Sequence, residues 1–351
     1  MRRVVLASLA SSEPMGQQLY ESAILQALEA PAADWGITVE PWPVRSLRSA
    51  QPGRKRLPLS VLHKSSERVQ RVLGAVAYPR GALVHRLDLR LPPAPQEVVT
   101  VHDLAPLHFS DEGRLPKDVG QVLRRARAVI CPSLASAREL AELYGLPLPT
   151  VIPNGLPDDV WTATGLTNAL RAQLGLTGPY VLQCGGASQR KNLASVAGAW
   201  SAVQRHAPDL ELVLTGPPDG RRDALFARLP GVRILGKVAR PVLLDLMHSA
   251  AAVLVPSVYE GFGFPALEAM ATGTPVIAAA RSSLPEVCGE AALLVEPTAE
   301  GLAEGVVRVL EDNQLAHQLA VRGPVHARPF TWEASATMHL DVYDSATHVG
   351  S

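Results

Sequence analysis

One stretch constrains this chain more than any other: Val253–Ala279, VLVPSVYEGFGFPALEAMATGTPVIAA. Its valine-rich opening, Ala250 to Val255, is apolar without alternation and stops at Pro256, which reads as a parallel strand buried on both faces. A glycine-bearing turn follows, Gly261-Phe262-Gly263-Phe264. Pro265 stands where a helix accepts proline in its first turn, and Gly273 where a helix stops. A second apolar strand, Val276 to Ala280, comes after Pro275. The pattern is strand, glycine turn, short helix, strand.

Such a unit sets a helix N-terminus at the carboxyl end of a parallel strand. Unpaired N–H groups and the positive end of the helix dipole favour an anion there, a phosphate above all. Glycine lets the backbone approach it without a Cβ in the way. Glu260 precedes the helix and Glu268 lies about one turn inside it. A carboxylate among anion-binding groups is suited to neutral hydroxyls, such as those of a ribose or a sugar. Each glutamate taken alone reads equally well as a surface or helix-terminal charge. No third glycine completes a dinucleotide fingerprint.

Glu260 and Glu268, with seven residues between them, match the Glu-x7-Glu motif of the family 4 retaining glycosyltransferases. The segment EGFGFPALEAMATGTPVIA and the following SSLPEVCGEAALLVEP resemble that family almost residue for residue. The resemblance implies an α/β protein of the GT-B fold, two Rossmann-like domains with parallel sheets facing across a cleft. It also implies that Gly261, Phe262, Gly263 and Phe264 line the donor phosphates. By the same resemblance, Glu268 holds the ribose diol and Glu260 the sugar hydroxyls.

Two domains are also what 351 residues suggest, since single cores seldom grow that large. Hydrophobic residues at 47% and charged residues at 19% describe a globular chain. Cys131, Cys184 and Cys288 have neither pairing nor metal-ligand spacing, which fits a reducing compartment. The apolar part of MRRVVLASLASS is short and reads as a first strand rather than a signal peptide. No run reaches the roughly 20 apolar residues of a membrane span. A net charge of zero argues against a general nucleic-acid binder. The charge is uneven, however: residues 45–80 hold nine Lys/Arg against Glu67 alone. Leu59, Leu62, Val69, Leu73 and Val76 recur there at helical spacing. Such a helix packs its apolar side on a core with a solvated basic face, or lies on an anionic membrane surface.

Taken in order, Arg3 to Leu9 is a strand and Gln17 to Leu28 a helix, with Gly16 at the turn between them. In the family a glycine loop at this place faces the donor phosphates; SSEPMGQQ supplies one glycine. Glu97 to Val101 is a strand ending in HDLAP. This resembles the family's His-Asp-x-x-Pro element and implies that His102, with Asp103 beside it, lies near the reacting centre. VIPNGL, Val151 to Leu156, resembles the segment that closes the family's first domain, and Pro157 to Asn168 reads as a linker. Past the strand Tyr180 to Cys184, GGASQRKN brings Arg190 and Lys191 into a second anion loop. Arginine can grip a phosphate as a fork and lysine as a point charge. The loop resembles the family's Gly-x-x-x-x-Arg-Lys-Asn; where some members add an arginine, this chain has Gly186. Gly236-Lys237-Val238 matches the turn that in the family lies against the base.

The expected organisation is residues 1–165 on the acceptor side, 166–328 for the nucleotide sugar, and a 329–351 tail crossing back to the first domain. The expected activity is transfer of a sugar from a nucleotide-diphosphate donor to a hydroxyl acceptor with retention. No metal ligand set such as Asp-x-Asp stands out, so no metal or other cofactor is expected beyond the co-substrate. A nucleotide-sugar epimerase of the same fold, a non-catalytic partner subunit and a two-domain solute-binding protein are the competing readings. The expected location is cytoplasmic, extending to the inner face of a membrane if residues 45–80 touch anionic lipid.

Overall fold

A computed structural model of the chain describes residues 2–10, 16–47, 49–59 and 65–348. It divides into two compact units, Met1–Gly155 with Phe330–Ser351, and Leu156–Pro329. Each is built on one parallel sheet.

In the first unit the strands are β1 (Arg2–Leu9), β2 (Ile37–Ser46), β3 (Lys55–Leu57), β4 (Leu83–Arg86), β5 (Glu97–Thr100), β6 (Ala128–Cys131) and β7 (Thr150–Val151). They lie in the order β3-β2-β1-β4-β5-β6-β7. The middle strands are buried through their centres: Val4 to Ala7, Leu83 to Arg86 and Glu97 to Thr100 are all buried. A sheet covered on both faces selects unbroken apolar runs. The polar exceptions among them are His85, Glu97, Thr100 and the cation Arg86. Its guanidinium binds both oxygens of Glu97 at 3.0 and 3.3 Å, so neither buried charge is left alone.

The second unit carries β8 (Tyr180–Cys184), β9 (Glu211–Thr215), β10 (Val232–Gly236), β11 (Ala252–Val255), β12 (Val276–Ala279) and β13 (Leu293–Val295). Their order is β10-β9-β8-β11-β12-β13, again parallel throughout. Leu212, Leu214, Trp200, Phe226 and Ile277 belong to its core. The chain steps outward from β8 to β10, then returns to the other side of β8 with β11. The same reversal separates β1 from β4 in the first unit. Loops that leave the carboxyl ends of strands at such a reversal diverge and open a crevice.

The C-terminal helix Trp332–His348 packs against the helix Gly16–Glu29 of the first unit. Tyr20 Oη and His339 Nε2 are 2.9 Å apart. His85 lies 2.7 Å from both Tyr343 Oη and Thr100 Oγ1. Gly155 sits so close to the Thr331–Trp332 backbone that a Cβ would fall 2.2 Å from the Trp332 nitrogen.

Two local expectations change, and β2 accommodates two prolines. The boundary between the units falls at Gly155–Leu156, and the stretch read as linker holds a 3-10 turn, Asp158–Thr162. Its Asp159 binds Arg240 and its Trp161 ring stacks under Arg328, which ties it to the second unit. β2 runs through Pro41 and Pro43 because its other neighbour, β3, joins it only from Val44 onward. Finally, within the stretch of helical spacing Leu59 is helical, residues 60–64 lie outside the described residues, and a described helix runs from Glu67 to Ala77. Leu59 is buried and Leu73 packs on the core, but Val69 and Val76 face outward. Leu62, Arg48 and Lys64 fall outside the described residues.

Candidate active site

A largely buried set of charged groups in the second unit forms at the β8–β11 reversal. Two loops leave the carboxyl ends of these adjacent strands: residues 185–192 after β8 and 256–263 after β11. They are laced together. Val258 N donates to Arg190 O at 2.9 Å. Asn192, in the left-handed region at φ 53°, donates its amide to Pro256 O and Pro297 O at 3.2 and 2.8 Å.

This lacing places Glu260 between two cations. Arg190 Nη1 donates to Oε2 at 2.8 Å and Lys191 Nζ to Oε1 at 2.6 Å. Burial works to raise the Glu260 carboxyl, but Lys191 and then Arg190 outweigh it and hold it down at about 2. One carboxylate between two cations leaves the cluster one positive charge in excess, in a place with little water. The carbonyl of Glu260 is braced as well: Ser282 Oγ lies 2.8 Å and Ser283 Oγ 2.9 Å from it, and Ser283 Oγ is also 2.9 Å from Phe262 O.

The turn Gly261–Phe264 then enters the helix Phe264–Ala271 with Gly263 as its N-cap and Pro265 in the first turn. Gly263 has φ 110°, and a Cβ there would stand 2.8 Å from Leu284 Cδ2. Glycine is therefore required at this point both by conformation and by space. No described group accepts a hydrogen bond from the Gly263 or Phe264 amide, as expected for the first residues of a helix.

Glu268 projects from the same helix into a second ion-pair group. Arg240 Nη1 donates to Glu268 Oε1 at 2.8 Å. The same guanidinium binds Asp159 through Nε at 2.5 Å and Nη2 at 2.8 Å. Burial raises the Glu268 carboxyl above its ordinary value, against the pull of Arg240. Its second oxygen, Oε2, accepts no hydrogen bond among the described residues. One oxygen is thus anchored and the other is left for a hydroxyl.

The remaining residues from the sequence reading fall as follows. Gly186 faces open space. Lys237 is exposed and forms no ion pair among the described residues, and Val238 is half-buried in the turn after Gly236 (φ 69°). In the first unit, His102 follows β5 at the sheet's carboxyl edge. Its ring meets Tyr20 edge-on at 4.6 Å and its buried Nε2 has no partner. Burial lowers the imidazole to about 4, opposed by Asp88 and reinforced by His339, so it is neutral at pH 7. Asp103 Oδ1 accepts from Ala105 N at 3.0 Å, a turn-capping role. Gly16 is the first residue of its helix, and residues 11–15 of the preceding loop lie outside the described residues. Arg240, Asp159, Ser282 and Ser283 were not singled out in the sequence. Arg240 is 81 positions from Asp159 and 28 from Glu268, and no local pattern joins residues so far apart.

Comparison with known proteins bears on the family and the fold. Residues 18–160 match the family described as Glycosyltransferase Family 4, and residues 178–312 that described as Glycosyl transferases group 1. An O-antigen chain mannosyltransferase B of Escherichia coli is 28% identical over 284 residues, covering 76% of this chain and 72% of that protein. A D-inositol 3-phosphate glycosyltransferase of Xylanimonas cellulosilytica is 34% identical over 252 residues, covering 65% of this chain and 59% of that protein. Among solved structures, a sucrose-phosphate synthase from Thermosynechococcus elongatus superposes with TM-score 0.78 at 25% identity over the whole of both chains. An Anabaena protein solved with UDP and glucose superposes with TM-score 0.74 at 20% identity, over 98% of this chain and 100% of that one. The two parallel-sheet units, the strand reversal that gathers the Glu260 cluster, and the matches to both halves lead to one assignment: the chain belongs to the group 1, family 4 glycosyltransferases of the GT-B fold.

Proposed function

We propose that the protein transfers a sugar from a nucleotide-diphosphate donor to a hydroxyl acceptor, with retention at the anomeric carbon and without a metal ion. The observation that carries this reading is the Arg190–Glu260–Lys191 cluster beside the unpaired Gly263 and Phe264 amides, with Glu268 one turn along the same helix. The excess positive charge and the amides suit a diphosphate, and they strengthen as charge grows on it when the glycosidic bond breaks. Glu268 Oε2 accepts from the ribose diol. Glu260 fixes sugar hydroxyls and offsets the positive charge that develops on the sugar ring. His102 supplies a neutral imidazole with an unused nitrogen for a sugar hydroxyl. The UDP held by the Anabaena protein supports the donor class.

Retention by a covalent glycosyl-enzyme would need a basic, accessible carboxylate. Glu260, held at about 2 between two cations, is a poor nucleophile. Attack from the leaving-group face, with the departing phosphate taking the acceptor proton, fits better. Arg190, Lys191 and the helix amides take the part a divalent cation plays elsewhere. The free, buried cysteines suit a reducing compartment.

The test is a thermal-shift screen with UDP-, GDP-, ADP- and TDP-sugars, followed by titration of the stabilising donor. Lys191→Ala and Glu268→Ala should each weaken donor binding with the fold retained. Equal binding by both variants and the wild type would place the donor elsewhere. Turnover should survive EDTA, and the anomeric coupling of the product should match that of the donor.

A further inference from the structure

Arg222 is 2% exposed, a buried cation that the site described above does not use. It comes from the helix Gly220–Phe226, which follows β9. Its Nε donates to Asp223 Oδ1 at 3.3 Å, but the Asp223 side chain is half-exposed, so water screens that charge. Asp219, the other acid close by in the chain, accepts from the Arg221 and Arg222 amides at 2.9 and 3.1 Å. Arg222 Nη1 is shut off from solvent and has no hydrogen-bond partner among the described residues. A buried charged donor left unmade costs stability, and a nearby anion is what would offset it.

The guanidinium lies against the glycine turns of the donor site. β9 pairs with β8, and the turns that follow the strands are drawn together. Gly185 N donates to Thr215 O at 3.1 Å, and Gly216 N donates to Gly236 O at 2.9 Å. Gly216 has φ 141°, and a Cβ on it would stand 1.9 Å from Gly185 O and 3.5 Å from Arg222 Nη1. A Cβ on Gly185 would in turn lie 3.7 Å from Lys191 Nζ. The turn after β8 therefore adjoins both Lys191, which reaches across to Glu260 of the β11 loop, and Arg222, which arrives from the β9 side. Gly186, next along that turn, faces open space, which leaves room for an anion.

We propose that Arg222 is a third cation of the diphosphate seat, lending its charge from behind the Gly185–Gly216 contact. The inference deepens the donor-site reading and rests on it. A nucleotide-diphosphate sugar carries a negative charge on each phosphate, whereas Arg190, Lys191 and Glu260 leave a single positive charge between them. Arg222 supplies the balance. Its Nη1 is shielded from solvent, so its field reaches the turn with little screening. At roughly 10 Å and the effective dielectric of such sites, one charge is worth about 10-fold in the affinity of a singly charged phosphate.

The experiment is calorimetric titration of the full chain at low salt with UDP and UMP, GDP and GMP, and ADP and AMP. Arg222→Met should lower diphosphate affinity at least about 10-fold and monophosphate affinity less. Arg222→Lys keeps the charge and should keep most of the diphosphate affinity. Asp223→Asn removes the half-exposed counter-charge and should tighten diphosphate binding about two- to fivefold. Asp223 is on the surface, so that variant folds even where the Arg222 variants do not. Diphosphate binding by Arg222→Met equal to wild type would overturn the proposal. So would equal losses on diphosphate and monophosphate, which mark a merely structural role. Should neither Arg222 variant fold, unchanged diphosphate affinity in Asp223→Asn would overturn it. Lys191→Ala, run alongside, separates this inference from the reading beneath it. A loss there with none in Arg222→Met strikes the role of Arg222 alone, and no loss in either strikes the donor site as well.

Discussion

Arg240 offers the sharpest test of how the donor site is held. Its guanidinium is the cation that faces Glu268, and Asp159 holds it from the other side. Replacing it by alanine leaves Glu268 buried, next to Asp159, with no positive neighbour in that group. Breaking a buried ion pair costs on the order of 3–5 kcal/mol. Arg240 and Asp159 are partly solvated here, so the lower end applies, about 3 kcal/mol. Burial already raises the Glu268 carboxyl above its ordinary value, and losing the pull of Arg240 raises it further in Arg240→Ala. A protonated Glu268 no longer offers a charged acceptor to a ribose diol, a loss of about 1.5–3 kcal/mol, or roughly 10- to 150-fold in affinity. The sign with pH follows: the loss grows as pH falls and shrinks as pH rises and the carboxylate reforms, and in the variant this change sets in at higher pH than in wild type. The assay is calorimetric titration with UDP, GDP and ADP at several pH values, repeated with the 2′,3′-dideoxy nucleotide. Wild type and variant should bind the dideoxy compound alike. A pH-independent loss, or an equal loss on the dideoxy compound, would refute the positioning role.

Two further outcomes are expected. Gly263→Ala forces an alanine to φ 110° and its Cβ onto Leu284, which should cost about 1–3 kcal/mol and a few degrees in Tm by calorimetry; an unchanged Tm would show that the turn relaxes freely. His339 is lowered from 6.5 to about 4 by burial, with the Ser335 carbonyl opposing, so the unfolded chain takes its proton first as pH falls. Stability should be full above pH 6.5 and drop by about 3 kcal/mol on the way to pH 4. Urea unfolding across that range should show a slope in wild type that His339→Gln makes shallower without abolishing it, because burial lowers His102 and His85 as well, and equal slopes would locate the acid sensitivity elsewhere.

Apolar runs and a glycine turn marked the strand–turn–helix–strand unit around Ala250–Ala280, because burial on both faces of a parallel strand leaves an unbroken valine-rich mark, whereas the pair of parallel-sheet units was implied by the family resemblance. Gly263, Pro265 and Gly273 announced the short helix for the same kind of local reason: each answers a backbone requirement at its own position. The spacing of Glu260 and Glu268, and the Arg190–Lys191 pair, were legible as motifs. What they do to one another was not. That Glu260 is clamped by both cations follows from β8 and β11 lying side by side, and strands 70 residues apart in sequence carry no sign of being neighbours. Arg240 and Asp159 join Glu268 only through the packed fold. The outward turn of Val69 and Val76 is the converse case. Their periodicity promised a buried face, and only the sheet beneath the helix decided which of its two apolar sides would find a core.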